Sequence, residues 1–132
     1  MSDEPGTTPA SRMTGLDAYL GTWELISTVV NGVQASDAEI KGFRVVIIEG
    51  TQTVWAGENI LVHDVPYTID TTVTPHATTD FLPDGRLLLG ISRIEGDTLT
   101  SCVASRGGER PKDFISVPGS GHTLRVFKRA VG

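Results

Sequence analysis

Two side chains of this sequence, Arg125 and Tyr67, are the best suited to act on a small molecule. Tyr67 is in phase with Val65 and Ile69, which turns its ring inward and leaves a hydroxyl that needs a partner. It serves as core packing, as a ligand contact, or as a proton donor in an isomerisation. Arg125 shares one face of the last strand with Phe127 and Arg129, while Leu124, Val126 and Lys128 make the other, and either face fits an interior. If the Arg125 face is inward, a buried guanidinium demands an anion, and a ligand carboxylate or phenolate becomes its counterion. Trp55, in a strand of undetermined facing, is a pocket wall or a cap on the fold.

Other chemistry is poorly served. His63, His76 and His122 lack metal-ligand spacing, and the last two stand in turn-like sequence beside Pro75 and after Gly121. His63-Asp64 is the one adjacent imidazole and carboxylate, but successive strand residues point to opposite faces, so the two form no dyad unless a bulge intervenes. There is no Ser/His/acid nucleophile pattern, no phosphate-cradling glycine loop and no cysteine metal spacing. No metal and no cofactor are expected. Gly107-Gly108 between Arg106 and Arg110 reads as an anion site or a mobile loop.

Composition narrows the class. The 132 residues make one domain, large enough to bury a core without disulfides. A net charge of -5 and a pI near 5.0 make nucleic acid a poor partner. Arg106, Arg110, Lys112, Arg125, Lys128 and Arg129 nevertheless make the C-terminal part locally positive. Cys102 is the single cysteine, so no internal disulfide forms, and a small apolar filler or a passive thiol is its default role. No apolar run reaches the length of a signal peptide or membrane span, which gives a cytoplasmic protein with no membrane partner as the expectation. Residues 1–13, polar with Pro5 and Pro9, read as a flexible tail before a single domain over 14–132.

The elements that must position these residues are short and mostly β. Thr14 with Asp17 looks like a helix N-cap, followed by an apolar face of Leu16, Tyr19 and Leu20. Residues 21–30 alternate, placing Trp23, Leu25, Ser27 and Val29 on one face and Ser27 among the candidate ligand contacts. Asn31-Gly32 is a type I′ hairpin signal; Ser36 with Glu39 is a capping box, and Gly42 is placed to end that helix. Further strands are expected over 43–48, 51–57, 60–70 with an interruption, 77–82, 86–94, 97–104 and 122–129. Hairpin-length connections between about eight strands favour an all-β, antiparallel up-and-down barrel with one or two short helical turns.

Gly21-Thr22-Trp23 at the start of the first strand resembles the opening motif of lipocalin-type barrels. With it go Leu20, Lys41-Gly42, Leu89-Gly90-Ile91, Glu95-Gly96-Asp97-Thr98-Leu99, Cys102, Gly107-Gly108, Arg110-Pro111, Phe114, Pro118-Gly119-Ser120-Gly121, Leu124 and Val126-Phe127-Lys128-Arg129. Over about Leu20 to Arg129 the chain resembles a family of small, largely uncharacterised bacterial lipocalin-like domains. The resemblance implies an eight-stranded, calycin-type barrel and brings no established reaction. It also implies a basic residue over the tryptophan, and closing first strand on last brings Lys128 or Arg129 there. Arg129 is favoured because a guanidinium stacks better on indole.

Where family members carry a bulky aromatic and an apolar residue, this chain has Ser92 and Ser101. If Glu95-Gly96 is a two-residue loop, Ser92 lies opposite Leu99 and Gly90 opposite Ser101, which puts both serines on the apolar face with Ile94, Leu99 and Val103. Lost bulk there opens a cavity dotted with hydroxyls. Two functions follow, beside a third possibility, an interaction module with a packed interior. The first is binding of one small hydrophobic or amphipathic molecule with polar or anionic groups, contacted by Ser27, Trp55, Tyr67, Ser92, Ser101 and Arg125. The second is a cofactor-free isomerase or cyclase of secondary metabolism, with Tyr67 or Arg125 polarising the substrate. Gly21, Trp23 and Arg129 are assigned to barrel closure, and the sequence gives no oligomeric state.

Overall fold

The structure, a computed structural model, describes residues 16–105 and 107–130. The expected tail over 1–13 and the capping residue Thr14 lie outside the described residues, as does Arg106. A 3-10 turn, Leu16–Tyr19, leads into β1 (Gly21–Val30). There follow β2 (Val33–Gln34), a short α-helix (Asp37–Ile40), β3 (Phe43–Ile47), β4 (Thr51–Ala56), β5 (Asn59–Asp70) and β6 (His76–Phe81). The chain ends with β7 (Leu87–Glu95), β8 (Thr98–Val103) and β9 (Thr123–Arg129).

The strands pair antiparallel in the order β2-β1-β3-β4-β5-β6-β7-β8-β9, and β9 returns to β1. Apart from the two-residue β2, this is a closed eight-stranded antiparallel barrel, the expected fold class. Closure removes the exposed sheet edges that would otherwise template aggregation. Local sequence explains the turns. Asn31 and Gly32 both hold positive φ, 49° and 85°, as a type I′ hairpin requires, and Ser36 and Glu39 form the reciprocal capping box.

Two bulges change which side chains face inward. On β1 the pairing with β9 runs Leu25↔Phe127 and then Ser27↔Val126, leaving Ile26 unpaired. The extra residue flips the alternation, so Trp23 and Leu25 are followed inside the barrel by Thr28 and Val30, and not by Ser27 and Val29. On β5, Asp64 has φ of 49° and the register against β4 shifts beside it, which is the interruption expected within 60–70. There the bulge brings His63 Nε2 to 3.4 Å from Asp64 Oδ2, so the two do pair, on the exposed outside.

One end of the barrel is sealed. Tyr19, Trp23, Val45, Ile47, Tyr67 and Leu99 form the core cluster, backed by Leu16, Leu20, Val54, Ile69, Ile94 and Phe127. Trp23 is fully buried and its indole N–H donates to the Tyr19 carbonyl at 2.9 Å. Outside the barrel, the segment of residues 107–122 lies over β7 and β8. Ile91 and Cys102, an outward-facing cross-strand pair, are only 3% and 0% exposed beneath it, and the Cys102 thiol donates to the Ile115 carbonyl at 3.6 Å.

Candidate functional site

Inside the barrel the side chains leave a cavity of about 660 Å³, a volume in the range of small-molecule sites. Its lower walls are apolar, with Val45, Ile47, Val54, Val65, Ile69 and Phe127. Val30, Leu61 and Val62 line it and are at the same time exposed, which marks the mouth.

A polar belt crosses this apolar lining because four adjacent strands set polar residues at matching register. Thr28 on β1 pairs with Arg125 on β9, Arg125 with Ser101 on β8, and Ser101 with Ser92 on β7. All four line the cavity. Asp80 on β6, beside Tyr67 on β5, also lines it, with Gln52 on β4 donating its amide to Asp80 Oδ1 at 2.7 Å. Burial raises the Asp80 carboxyl to about 6, although the Gln52 hydrogen bond and the charge of Arg125 both favour its ionised form. Burial also lowers the Arg125 guanidinium, which Asp80 partly restores. The two charges attract across the cavity without a direct ion pair, and Arg125 makes no hydrogen bond to a described residue.

The expected site residues divide cleanly. Ser92, Ser101, Tyr67 and Arg125 line the cavity. For Arg125 this settles the open facing of the last strand. The hairpin register differs from the expectation: the loop is Gly96-Asp97, so Ser92 opposes Ser101 and Gly90 opposes Val103. A slip of two residues preserves facing, and both serines stay inside. Ser92 is nevertheless occupied, since its Oγ lies 2.7 Å from Tyr19 Oη, which lies 2.7 Å from His76 Nδ1. His76 therefore begins β6 and does not stand in a turn. Tyr67 donates its hydroxyl to the Ile48 carbonyl at 2.8 Å, so that proton is already committed to the fold.

Ser27 and Trp55 do not line the cavity. The Ile26 bulge turns Ser27 outward, where its Oγ accepts from Gln34 Nε2 at 3.3 Å. Trp55 alternates with the inward Val54 and stacks outside under Arg44, 4.9 Å from guanidinium carbon to ring centre. Neither the pocket-wall nor the barrel-cap reading of Trp55 holds. Arg110, which flanks the Gly107-Gly108 stretch read as an anion site or a mobile loop, donates to the carbonyls of Thr78 and Gly90 and to Thr79 Oγ1, fastening the long loop to β6 and β7.

The closure residues stand where expected. The Arg129 guanidinium lies 4.2 Å over Trp23 and donates to the carbonyls of Leu20 and Ala18 at 3.1 and 2.7 Å. Gly21, with φ of 123°, lets the chain pass beneath it; a Cβ there would lie 3.3 Å from Arg129 Nη1. Among the described residues, no cluster of three or more His, Cys, Asp or Glu side chains forms a metal cage, and no helix is long and apolar enough to cross a membrane.

Sequence reasoning missed Thr28, Gln52 and Asp80. Thr78 and Asp80 lie on one face of β6 and Thr79 on the other, so polarity did not alternate and gave no facing. Comparison with models of protein families, with curated proteins and with solved structures finds no match to this chain. Fold and cavity chemistry alone carry the functional reading.

Proposed function

We propose that this chain is a small lipocalin-like domain of the bacterial type described above, and that it binds one small, mostly apolar molecule inside the barrel. A single observation carries the reading: an apolar cavity of about 660 Å³ holds a guanidinium with no hydrogen-bond partner among the described residues. An eight-stranded barrel whose interior is filled by side chains has no use for such a charge. Ser101 lines the cavity, and a larger residue there would take up part of its space.

Neither tryptophan lines the cavity, so an added probe is the better reporter. Titration with Nile red, an uncharged dye that brightens in apolar surroundings, should saturate at one molecule per chain. Ser101→Phe, folded by circular dichroism, should lose most of that signal. Brightening without saturation, or equal binding by the variant, contradicts the reading.

One observation favours a second function, a cofactor-free isomerase or cyclase. A carboxyl raised to about 6 and a guanidinium face the same cavity, a pairing suited to proton transfer at one atom and charge stabilisation at another. Asp80 replaces Tyr67 as the acid–base candidate, because the Tyr67 proton is engaged by Ile48. In that case Asp80→Asn abolishes turnover while leaving Nile red binding intact.

A further inference from the structure

We propose that Arg125, Thr28 and Ser101 form the seat for the carboxylate of a single-chain monocarboxylic acid, whose apolar part fills the rest of the cavity. The inference rests on the reading of the barrel as a ligand cup and adds the chemical class of its ligand. Three independent features converge on that seat. The first is Arg125 itself, a planar fork of five N–H donors inside the barrel that no described residue engages by hydrogen bond or ion pair. The second is Thr28, only 8% exposed, whose Oγ1 is the single buried side-chain nitrogen or oxygen without a hydrogen-bond partner among the described residues. An orphaned buried hydroxyl is costly unless something supplies its partner. The third is Ser101, a hydroxyl on the other flank of Arg125 that also lines the cavity.

The three sit on adjacent strands at the same register, with Thr28 and Ser101 each directly paired with Arg125. Directly opposed residues of neighbouring strands bring their side chains within about 5 Å of one another. That spacing lets one carboxylate accept two N–H bonds from the guanidinium fork and one O–H bond from each flank.

The same geometry discriminates among head groups. A dianion such as a phosphate monoester would meet one guanidinium and, across the cavity, the Asp80 carboxyl, so its second charge would lack a partner. A cation would meet Arg125 directly. An alcohol would leave both the guanidinium and most of its donors unsatisfied. A monoanion supplies the contact counterion that Asp80, across the cavity, does not, and Asp80 then becomes a competitor for Arg125. The apolar lining of Val45, Val54, Val65 and Phe127, with the exposed mouth at Leu61 and Val62, takes the hydrocarbon.

The test is calorimetric titration of the full chain with three probes that share one tail: decanoate, decanol and decyltrimethylammonium. Decanoate should bind most tightly. Arg125→Met should weaken decanoate at least about tenfold and leave decanol unchanged, Thr28→Val should weaken decanoate by about threefold or more, and Asp80→Asn should tighten it. Retained decanol binding shows that each variant still forms the cup. Equal affinities of the wild-type chain for decanoate and decanol, preference for the ammonium probe, or undiminished decanoate binding by Arg125→Met would overturn the seat while leaving the cup intact. Absence of binding by all three probes would overturn the seat and the cup together.

Discussion

Arg125 and Arg129 lie four residues apart on the same face of the last strand, yet they live in opposite chemical circumstances. Arg129 is half-buried and fully employed, stacked on Trp23 and donating to two carbonyls at the closed end. Arg125 is set inside the cavity with only the distant charge of Asp80 for company. On the proposal made above, the contrast separates a residue that holds the fold from one that the fold holds in readiness. An arginine whose donors are all matched by its own chain stabilises, whereas one left unmatched inside a barrel lowers stability until something binds.

The comparison breaks or sharpens first on stability. Arg129→Met removes the stack on indole and two hydrogen bonds from a charged donor, and should cost about 2–4 kcal/mol in urea denaturation. Arg125→Met places an apolar chain of similar length in an apolar cavity and should change stability by less than about 1 kcal/mol, or raise it. Equal losses from the two substitutions would erase the distinction.

Asp80 gives the next largest effect, and it depends on pH. Its carboxyl titrates near 6 in the folded chain against 3.8 when free, so the folded state holds the proton more tightly. Stability must therefore fall as pH rises from about 4 through 6, and the full cost, on the order of 3 kcal/mol, is present above that window. Asp80→Asn should be more stable than the wild-type chain near pH 8, with the gap closing towards pH 4. A constant gap across that range, measured by thermal denaturation, would contradict a carboxyl raised by burial at Asp80. The smallest effect belongs to the residues that the bulge and the strand phase turn outward: Ser27→Ala and Trp55→Phe should leave Nile red and decanoate affinities within about twofold of wild type.

How much of this was legible follows from where the local signals were strong. Gly21-Thr22-Trp23, Asn31-Gly32 and the Ser36–Glu39 box each carry their own geometry; closing the first strand on the last narrowed the residue over Trp23 to Lys128 or Arg129, and the better stacking of a guanidinium on indole picked Arg129, which is the one found there. Ser92 and Ser101 were placed inside despite a misread loop, because a two-residue slip leaves every side chain on its own face. Ser27 was misplaced by a single inserted residue, Ile26, which no sequence pattern announced. The facing of β9 stayed open for a different reason. Residues 107–122 cover the outside of β7 and β8, so the apolar Ile91 and Cys102 are buried on the side away from the cavity, and Leu124, paired with Cys102, shares that face. Asp80 and Thr28 were invisible because their facing depends on partners far along the chain.

The central claim, that Arg125 awaits a ligand while Arg129 does not, is tested most directly by following the two guanidinium Nε–H resonances in the nuclear magnetic resonance spectrum during a decanoate titration. The account predicts that the Arg125 resonance shifts saturably and its proton exchanges more slowly with water, while the Arg129 resonance stays in place. A shift of Arg129 alone, or an unmoved Arg125 at saturating decanoate, would contradict it.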